Sequence, residues 1–316
     1  MYLVDHNDIL KAQINPAECV TWVKEAFHLK AEAKLPPKIS LKLANNVFFN
    51  TMPCYLQTID RIAVKMVSRY PQNEPALSSK LFLVDGKTGA YLAMMDGDWI
   101  TAMRTGAVAA LSIMKLEAQK ENNIYAFVGL GNTARATLLC LLESRKESSH
   151  HVKLLKYKDQ ANSFVERFSE YKNVKFEIVD TNEDLVVDTD VVVSCVTAYD
   201  GIFAADNLYK KGVLLVPVHT RGFQNCDLFF DRVFADDRAH VEDFKYFRRF
   251  NRFNELREVL DETCEVGRSN NNERIIAYNI GIALHDLYFA SKIFDKLENR
   301  GIRNLDVSQV KEKFWV

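Results

Sequence analysis

Between Asn123 and Ala136 the chain reads NIYAFVGLGNTARA, a short apolar run leading into Gly129, Gly131 and the small residue Ala134. The spacing is G-x-G-x-x-A. Where a strand turns into a helix, the first glycine of such a pattern makes the tight turn and the second lets the backbone approach a pyrophosphate. The small third residue lets the helix pack on its strand, with its N-terminal amides facing the phosphates. That setting is present: 124–130 is apolar and β-rich, and 133–142 (TARATLLCLL) reads as a helix with an apolar face. Strand-like runs then follow at 151–156, 174–180, 190–196, 213–218 and 232–236. An amphipathic helix at 160–171 and shorter connectors at 183–187 and 206–209 separate them. A lone glycine match recurs in many turns. Six strands in alternation require more, a parallel sheet with right-handed crossovers. The chain therefore reads as α/β, with a Rossmann-type doubly wound parallel sheet built to hold a dinucleotide.

The long segment ahead of the fingerprint belongs to no dinucleotide fold. Its strand-like runs at 39–43, 46–52, 62–67 and 80–85 suggest a separate mixed sheet. At 15–30 (NPAECVTWVKEAFHLK) apolar residues recur at helical spacing behind an Asn-Pro start, which reads as an N-cap with proline in the first turn. A long helix at 98–116 (DWITAMRTGAVAALSIMKL) leads into the dinucleotide domain.

With 316 residues and 48% hydrophobic side chains the chain can fill two cores. No apolar run approaches the roughly 20 residues of a membrane span, and MYLVDHNDILK lacks the regions of a signal peptide, so a soluble, cytoplasmic protein is expected. Cys19, Cys54, Cys140, Cys195, Cys226 and Cys264 form no CxxC pair, which suggests buried thiols rather than a metal site or a disulfide framework. A net charge of −1 supplies no basic field for nucleic acid. The stretch 245–253 (KYFRRFNRF) interleaves bases with aromatics; the preferred reading is a cover over the dinucleotide domain rather than a base-stacking patch. The segment LPPK at 35–38 is too short to separate domains.

The strings AVKMVSRYPQN, DGKTG, TAMRTGAVAAL, GLGNTARA, ELREVL with VGR, and IGIALHDLYFA occur in the order of the ornithine cyclodeaminase and mu-crystallin family, and over nearly its whole length the chain resembles that family. TAMRTGA is the most specific of them. The resemblance implies a homodimer in which 1–116 plus 290–316 form an α+β substrate-binding and dimerisation domain. The Rossmann domain, 117–289, is inserted into it. Members include cyclodeaminases, alanine dehydrogenases and reductases of cyclic imines and ketimines. The implied activity is NAD(P)-dependent exchange of hydride with the α-carbon of an amino or imino acid. The alternative is a dinucleotide-dependent binding protein of the mu-crystallin kind, with little turnover.

Such a substrate needs its carboxylate fixed, and a planar guanidinium does this with two parallel hydrogen bonds. Arg104, in an otherwise apolar helix, either pairs an internal acid or performs this task; it matches the arginine of the family's TALRT-type motif, which implies the task. Lys65 interrupts the apolar run 62–67. Burial can lower a lysine's pKa and fit it for proton exchange, and Lys65 matches the family's catalytic lysine. Lys38 stands where the family has a second carboxylate-binding arginine and lacks the bidentate fork. Ser78 and Ser79 lie near a segment that can contribute a substrate hydroxyl.

His219, in the loop 217–227 (PVHTRGFQNCD), stands in the place of an acid in the cyclodeaminases. It either exchanges a proton or caps a strand end by hydrogen bonding. Cofactor contacts are expected from Gly129, Gly131, Asn132, Thr133 and Ala134. Val196 and Thr197 after the fourth strand are expected to join them, with Asn279 and Gly281 beside the nicotinamide. Lys156 and Lys158 follow the second strand and the first acid, Asp159, arrives late, so NADP is slightly preferred over NAD. Asp286 reads as structural and Arg268 as a loop anchor. No metal is expected.

Overall fold

The computed structural model describes residues 1–196, 199–219, 221–261, 266–298, 300–306 and 312–313. Six apolar runs separated by helices or short connectors can bury both faces only as a parallel sheet. The strands do pair in parallel, in the order Val174–Val179, His150–Leu155, Ile124–Val128, Val191–Ser194, Leu214–Pro217, Ile275–Tyr278, Arg232–Ala235 and Phe253–Glu255. From Ile124–Val128 the chain winds outward through two strands and then returns with Val191–Ser194 on the other side of the first. That reversal puts the topological switch point at Gly129–Gly131. The fifth and sixth runs, Leu214–Pro217 and Arg232–Ala235, are not neighbours in the sheet. Ile275–Tyr278 lies between them, and its four apolar residues are too short to announce a strand by periodicity.

Helices cover this sheet. Gly106, in the helix Asp98–Leu116, meets the helix Asn132–Ser144 so closely that a Cβ there would lie 2.5 Å from the carbonyl carbon of Ala136. The helix Pro16–His28, with Asn15 Oδ1 accepting from the Ala17 amide at 2.8 Å, packs against Asn132–Ser144 as well. The stretch 245–253 covers the same unit as expected. Phe247, Phe250 and Phe253 pack on its core, Arg238 lies over Phe247, and Arg249 over Tyr246.

The other sheet is mixed. Its order is Arg303–Asn304, Tyr2–Val4, Tyr91–Asp96, Leu77–Asp85, Arg61–Arg69, Phe48–Leu56 and Ala33–Lys34, with Ile39–Lys42 also on Phe48–Leu56. Only Tyr2–Val4 with Tyr91–Asp96 is parallel. Alternation along the strands buries Met52, Cys54 and Leu56, then Ala63, Lys65 and Val67, then Ser79, Leu81 and Leu83. The helix Ala283–Leu297 packs on these strands.

Backbone contacts divide the chain into one unit of Met1–Ile14, Leu29–Thr101 and Ala283–Val316 and another of Asn15–His28 and Ala102–Ile282. These bounds differ from the expected 1–116 plus 290–316 and 117–289. The helix Asp98–Leu116 passes from one unit into the other after its first turn, because Gly106 and its later turns pack on the parallel-sheet side. The tight turn expected at DGKTG is present: Asp85 Oδ1 accepts from the amides of Lys87 and Thr88 and from the Thr88 hydroxyl, and Gly89 has φ +72°. Among the described residues no helix is long and apolar enough to cross a membrane.

Candidate active site

The fingerprint turn is closed on one side and open on the other. Gly129 has φ +77°, and a Cβ there would meet the backbone of Cys195 and Val196 at 2.6 Å. Only glycine combines that dihedral with that approach. Gly131 is the N-cap of Asn132–Ser144; its Cβ position has nothing within 4 Å and no side chain caps the helix. The amides at that helix start thus have no side-chain cap and open space lies beside Gly131, while Ala134 is buried against the fold. Asn132 is exposed and Thr133 half-buried at the same end. Room beside the second glycine, closure behind the first and a helix dipole aimed outward are what a pyrophosphate requires. These residues fit a dinucleotide.

Val196 is half-buried beside this turn; Thr197 lies outside the described residues. Asn279 is buried, accepting from the Ser112 hydroxyl at 3.0 Å and donating its amide to Pro217 O at 2.9 Å. Gly281 has φ +95°, and a Cβ on it would lie 1.8 Å from Nη1 of Arg104. Arg104 is buried, 5% exposed, with its guanidinium against this glycine. The Gly281 amide donates to the carboxylate of Asp236, which is fully buried and 3.3 Å from His240 Nδ1. Arg104 and Asp236, both of this unit, thus both lie against Gly281.

Ser194 ends the strand Val191–Ser194, His219 lies two residues past the end of the adjacent parallel strand Leu214–Pro217, and His219 Nε2 is 2.6 Å from Ser194 Oγ. The Arg221 amide donates to Nδ1 at 3.4 Å, so the ring proton belongs on Nε2 and is given to the serine. Burial pushes the His219 pKa down to about 4. The ring is neutral at physiological pH, outside the range in which a histidine exchanges protons readily.

In the other unit Lys65 projects from Arg61–Arg69 between Ala63 and Val67, and its Nζ lies 2.8 Å from Oδ2 of Asp286 in the first turn of Ala283–Leu297. Each side chain is 1% exposed. The Cys54 thiol on the neighbouring strand is pushed up to about 12, first by burial and then by the Asp286 charge. Of the two serines, Ser79 is buried and Ser78 exposed. Ser79 Oγ bonds Asp98 at 3.0 Å and Thr101 at 3.1 Å, a fastening for the start of the helix Asp98–Leu116. Lys38 is exposed ahead of the edge strand Ile39–Lys42.

A family model described as ornithine cyclodeaminase/mu-crystallin matches residues 3–301. The chain belongs to the ornithine cyclodeaminase/mu-crystallin family. It is 27% identical over 280 residues to the nodulation efficiency protein NfeD of Rhizobium meliloti, covering 84% of this chain and 85% of that one. The Δ1-pyrroline-2-carboxylate reductase of Thermococcus litoralis, solved with NADH and L-proline, superposes with a TM-score of 0.85 at 25% identity, covering 96% of this chain and 100% of that one. An archaeal alanine dehydrogenase dimer with bound NAD gives a TM-score of 0.83 at 21% identity over 96% of this chain and 98% of the other, which shows the shared fold. The resemblance carried by the motifs holds. Membership puts the chain in an enzyme family whose named relatives include an alanine dehydrogenase and Δ1-pyrroline-2-carboxylate reductases.

Within this family member, Lys156 and Lys158 sit where expected, after the second parallel strand. Lys156 Nζ pairs Asp180 at 3.1 Å with both groups exposed, and Lys158, at φ +51°, lies over the Tyr157 ring. Asp159 accepts from Asn162 at 2.8 Å. Arg268 is an anchor, as expected: Nε donates to Leu116 O at 2.7 Å and Nη1 to Glu273 O. Among the described residues no cluster of three or more His, Cys, Asp or Glu could hold a metal ion. Sequence reasoning passes over Asp236 and Ser194, and gives Asp286 a structural part without its lysine partner. A signal for Asp286 was available, since an acid inside IGIALHDLYFA raises the same question as the arginine inside TAMRTGAVAAL.

Proposed function

We propose that this protein is a dinucleotide-dependent oxidoreductase exchanging hydride with the α-carbon of an amino acid or its imine, cyclic imino acids included. The observation that carries the reading is the Gly129–Gly131 turn, closed on Cys195 and open where a helix begins. Gly129, Gly131, Asn132, Thr133 and Ala134 would hold the pyrophosphate, Val196 and Thr197 would pass beside the dinucleotide, and Asn279 and Gly281 would lie beside the nicotinamide. When bound, the nicotinamide gives or takes the hydride. Arg104 fixes the substrate carboxylate and Lys65 exchanges a proton at the substrate nitrogen. Lys38 offers a second, monodentate cation. We read His219 as holding strand ends together, because a neutral ring donating to Ser194 has its proton committed.

The unit carrying Lys65 is assigned to substrate binding and dimerisation. Its edge strand supports the second role: Ile39, Leu41 and Leu43, alternate residues, are 63%, 60% and 58% exposed, an apolar strip that a second copy would cover. A cytoplasmic location accords with the thiols of Cys54, Cys140, Cys195 and Cys226, none of them in a disulfide.

The test is absorbance of the reduced cofactor during incubation with NADH or NADPH and a panel of amino acids and cyclic imines, 1-pyrroline-2-carboxylate among them. Turnover is expected. Tight cofactor binding with no turnover across the panel would replace this reading with that of a binding protein. For the cofactor itself we propose that both dinucleotides bind, NADPH slightly better, with Lys156 leaving Asp180 for the 2′-phosphate. Fluorescence titration should show Lys156→Ala weakening NADPH several-fold and leaving NADH unchanged; a clear preference of the wild type for NADH would sink the proposal.

A further inference from the structure

We propose that Asp286 is a positioning residue for the proton-exchanging lysine: its carboxylate fixes Nζ of Lys65 on the buried face of the mixed sheet and keeps that nitrogen supplied with a transferable proton. The proposal rests on the assignment of Lys65 made above.

Stability does not account for the pair. Position 65 lies between Ala63 and Val67 on one face, and its register partners across the ladder are Met52 and Leu81, both buried. An apolar side chain would satisfy that face, and replacing a buried ion pair by well-packed apolar groups is commonly neutral or stabilising. Two complementary charges 2.8 Å apart at 1% exposure, brought together from strand and helix, therefore call for a chemical reason.

The location of Asp286 settles which partner carries the proton. It sits in the first turn of Ala283–Leu297, where the helix dipole favours an anion. The carboxylate thus stays ionised and the ammonium stays on Lys65. Next to the pair the neighbouring strands contribute no second charge: Phe48–Leu56 brings Cys54, which remains a thiol, and Leu77–Asp85 brings Ser79, Leu81 and Leu83; the charges on the same alternation, Arg61, Arg69 and Asp85, stand at strand ends, Arg61 3.4 Å from Asp295. His285, adjacent to Asp286 and buried, is the other titratable side chain at this end of the helix. In the direction of imine reduction an N–H bond of Lys65 breaks, its electron pair remaining on Nζ, and a new N–H bond forms at the imine nitrogen. Hydride reaches the α-carbon from the reduced dinucleotide. Solvent returns a proton to Lys65, and the carboxylate holds the nitrogen in place throughout.

The experiment compares wild type, Lys65→Met, Asp286→Asn and Lys65→Met/Asp286→Leu with NADH and 1-pyrroline-2-carboxylate across pH. Asp286→Asn is expected to lower kcat about tenfold while changing the KM for NADH little. It should also move the alkaline fall of kcat toward acid by about one pH unit, since an opposite charge at this distance favours the ammonium by that order. A merely structural role would not move that limb. A second readout needs no turnover: the 15N resonance of Lys65 Nζ, assigned by its loss in Lys65→Met, should keep its ammonium signature to higher pH in wild type than in Asp286→Asn. The double variant, in which both charges give way to apolar groups, tests the idea even where Asp286→Asn folds poorly. It should match the residual rate of Lys65→Met alone, and a further loss would show Asp286 acting independently. Wild-type kcat and an unmoved limb in Asp286→Asn, with Lys65→Met inactive, would overturn this proposal and leave Lys65 standing. Full turnover in Lys65→Met would overturn both.

Discussion

Two sites in this chain, one in each unit, handle buried polar groups in opposite ways. Around Lys65 the mixed sheet holds a complete ion pair, with both charges present and 2.8 Å apart. In the parallel-sheet unit His219, buried just past a strand end, is kept neutral, and the capacity to bind an anion at Gly129–Gly131 comes from backbone geometry. Backbone amides need no desolvated charge to hold a phosphate, whereas moving a proton requires a group able to carry one. The difference implies a division of labour: substitutions around Lys65 should alter the rate of chemistry, and those in the turn should alter cofactor affinity or folding.

The largest effect is expected from the charged groups. Lys65→Met should reduce kcat by about 10² to 10⁴, the usual contribution of a positioned acid or base, with dinucleotide affinity measured by fluorescence unchanged. Arg104→Lys keeps the charge but loses the fork, so kcat/KM should fall about tenfold or more, chiefly through KM for the substrate. Loss of cofactor affinity in Lys65→Met would break the division.

Glycine substitutions sharpen it at intermediate magnitude. Gly281→Ala would press a methyl into the Arg104 guanidinium at a backbone φ of +95°, so its kcat/KM should fall toward that of the Arg104 variant. Gly129→Ala combines φ +77° with a 2.6 Å approach to backbone, and should destabilise the protein by about 1–3 kcal/mol in a thermal melt. Gly131→Ala meets nothing within 4 Å and should melt like the wild type while binding NADH more weakly. Equal melting of the two alanine variants at 129 and 131 would show that the turn is not closed on Cys195 as described.

What was legible in the sequence divides along the same line. The turn could be read because its physics is local: glycines, strand and helix lie within a few residues, and the strand alternation extends outward from them. The strand Ile275–Tyr278 could not, because four apolar residues after a polar stretch carry no periodicity, and its insertion between the fifth and sixth runs is a tertiary choice. Lys65 and Arg104 stood out as charges in apolar runs. Their surroundings did not: Asp286 reaches Lys65 from a helix late in the chain, and Asp236 comes to Gly281 from the end of another strand. Register and helix placement decide such meetings, and no spacing in the sequence encodes them. His219 reads from the sequence as a strand-end residue open to two roles; its hydroxyl partner, Ser194, is visible only once parallel register aligns the two strand ends.

The smallest effect is on stability alone, and it tests whether His219 and Asp227 are neutral in the fold. His219 titrates at 6.5 ordinarily and at about 4 in the fold. Between those values the unfolded chain binds the extra proton, so this residue's contribution is complete above pH 6.5 and is lost as pH falls toward 4. Asp227 runs the other way: burial raises its carboxyl from 3.8 to about 7, and Tyr278 donates to it at 2.8 Å. There the folded state binds the extra proton, and its contribution declines as pH rises from 3.8 through 7. Over pH 4 to 6.5 the slopes oppose each other, each approaching about 1.4 kcal/mol per pH unit, so the Tm of the wild type should vary little on their account. Asp227→Asn removes one slope and leaves the other: its Tm should drop as pH is lowered from 6.5 to 4, by an amount corresponding to about 3 kcal/mol. His219→Gln should do the reverse, losing Tm as pH rises across that window. A wild-type Tm that tracks either variant would mean that one of the two groups is charged in the folded protein, and the contrast with the Lys65 pair would have to be redrawn.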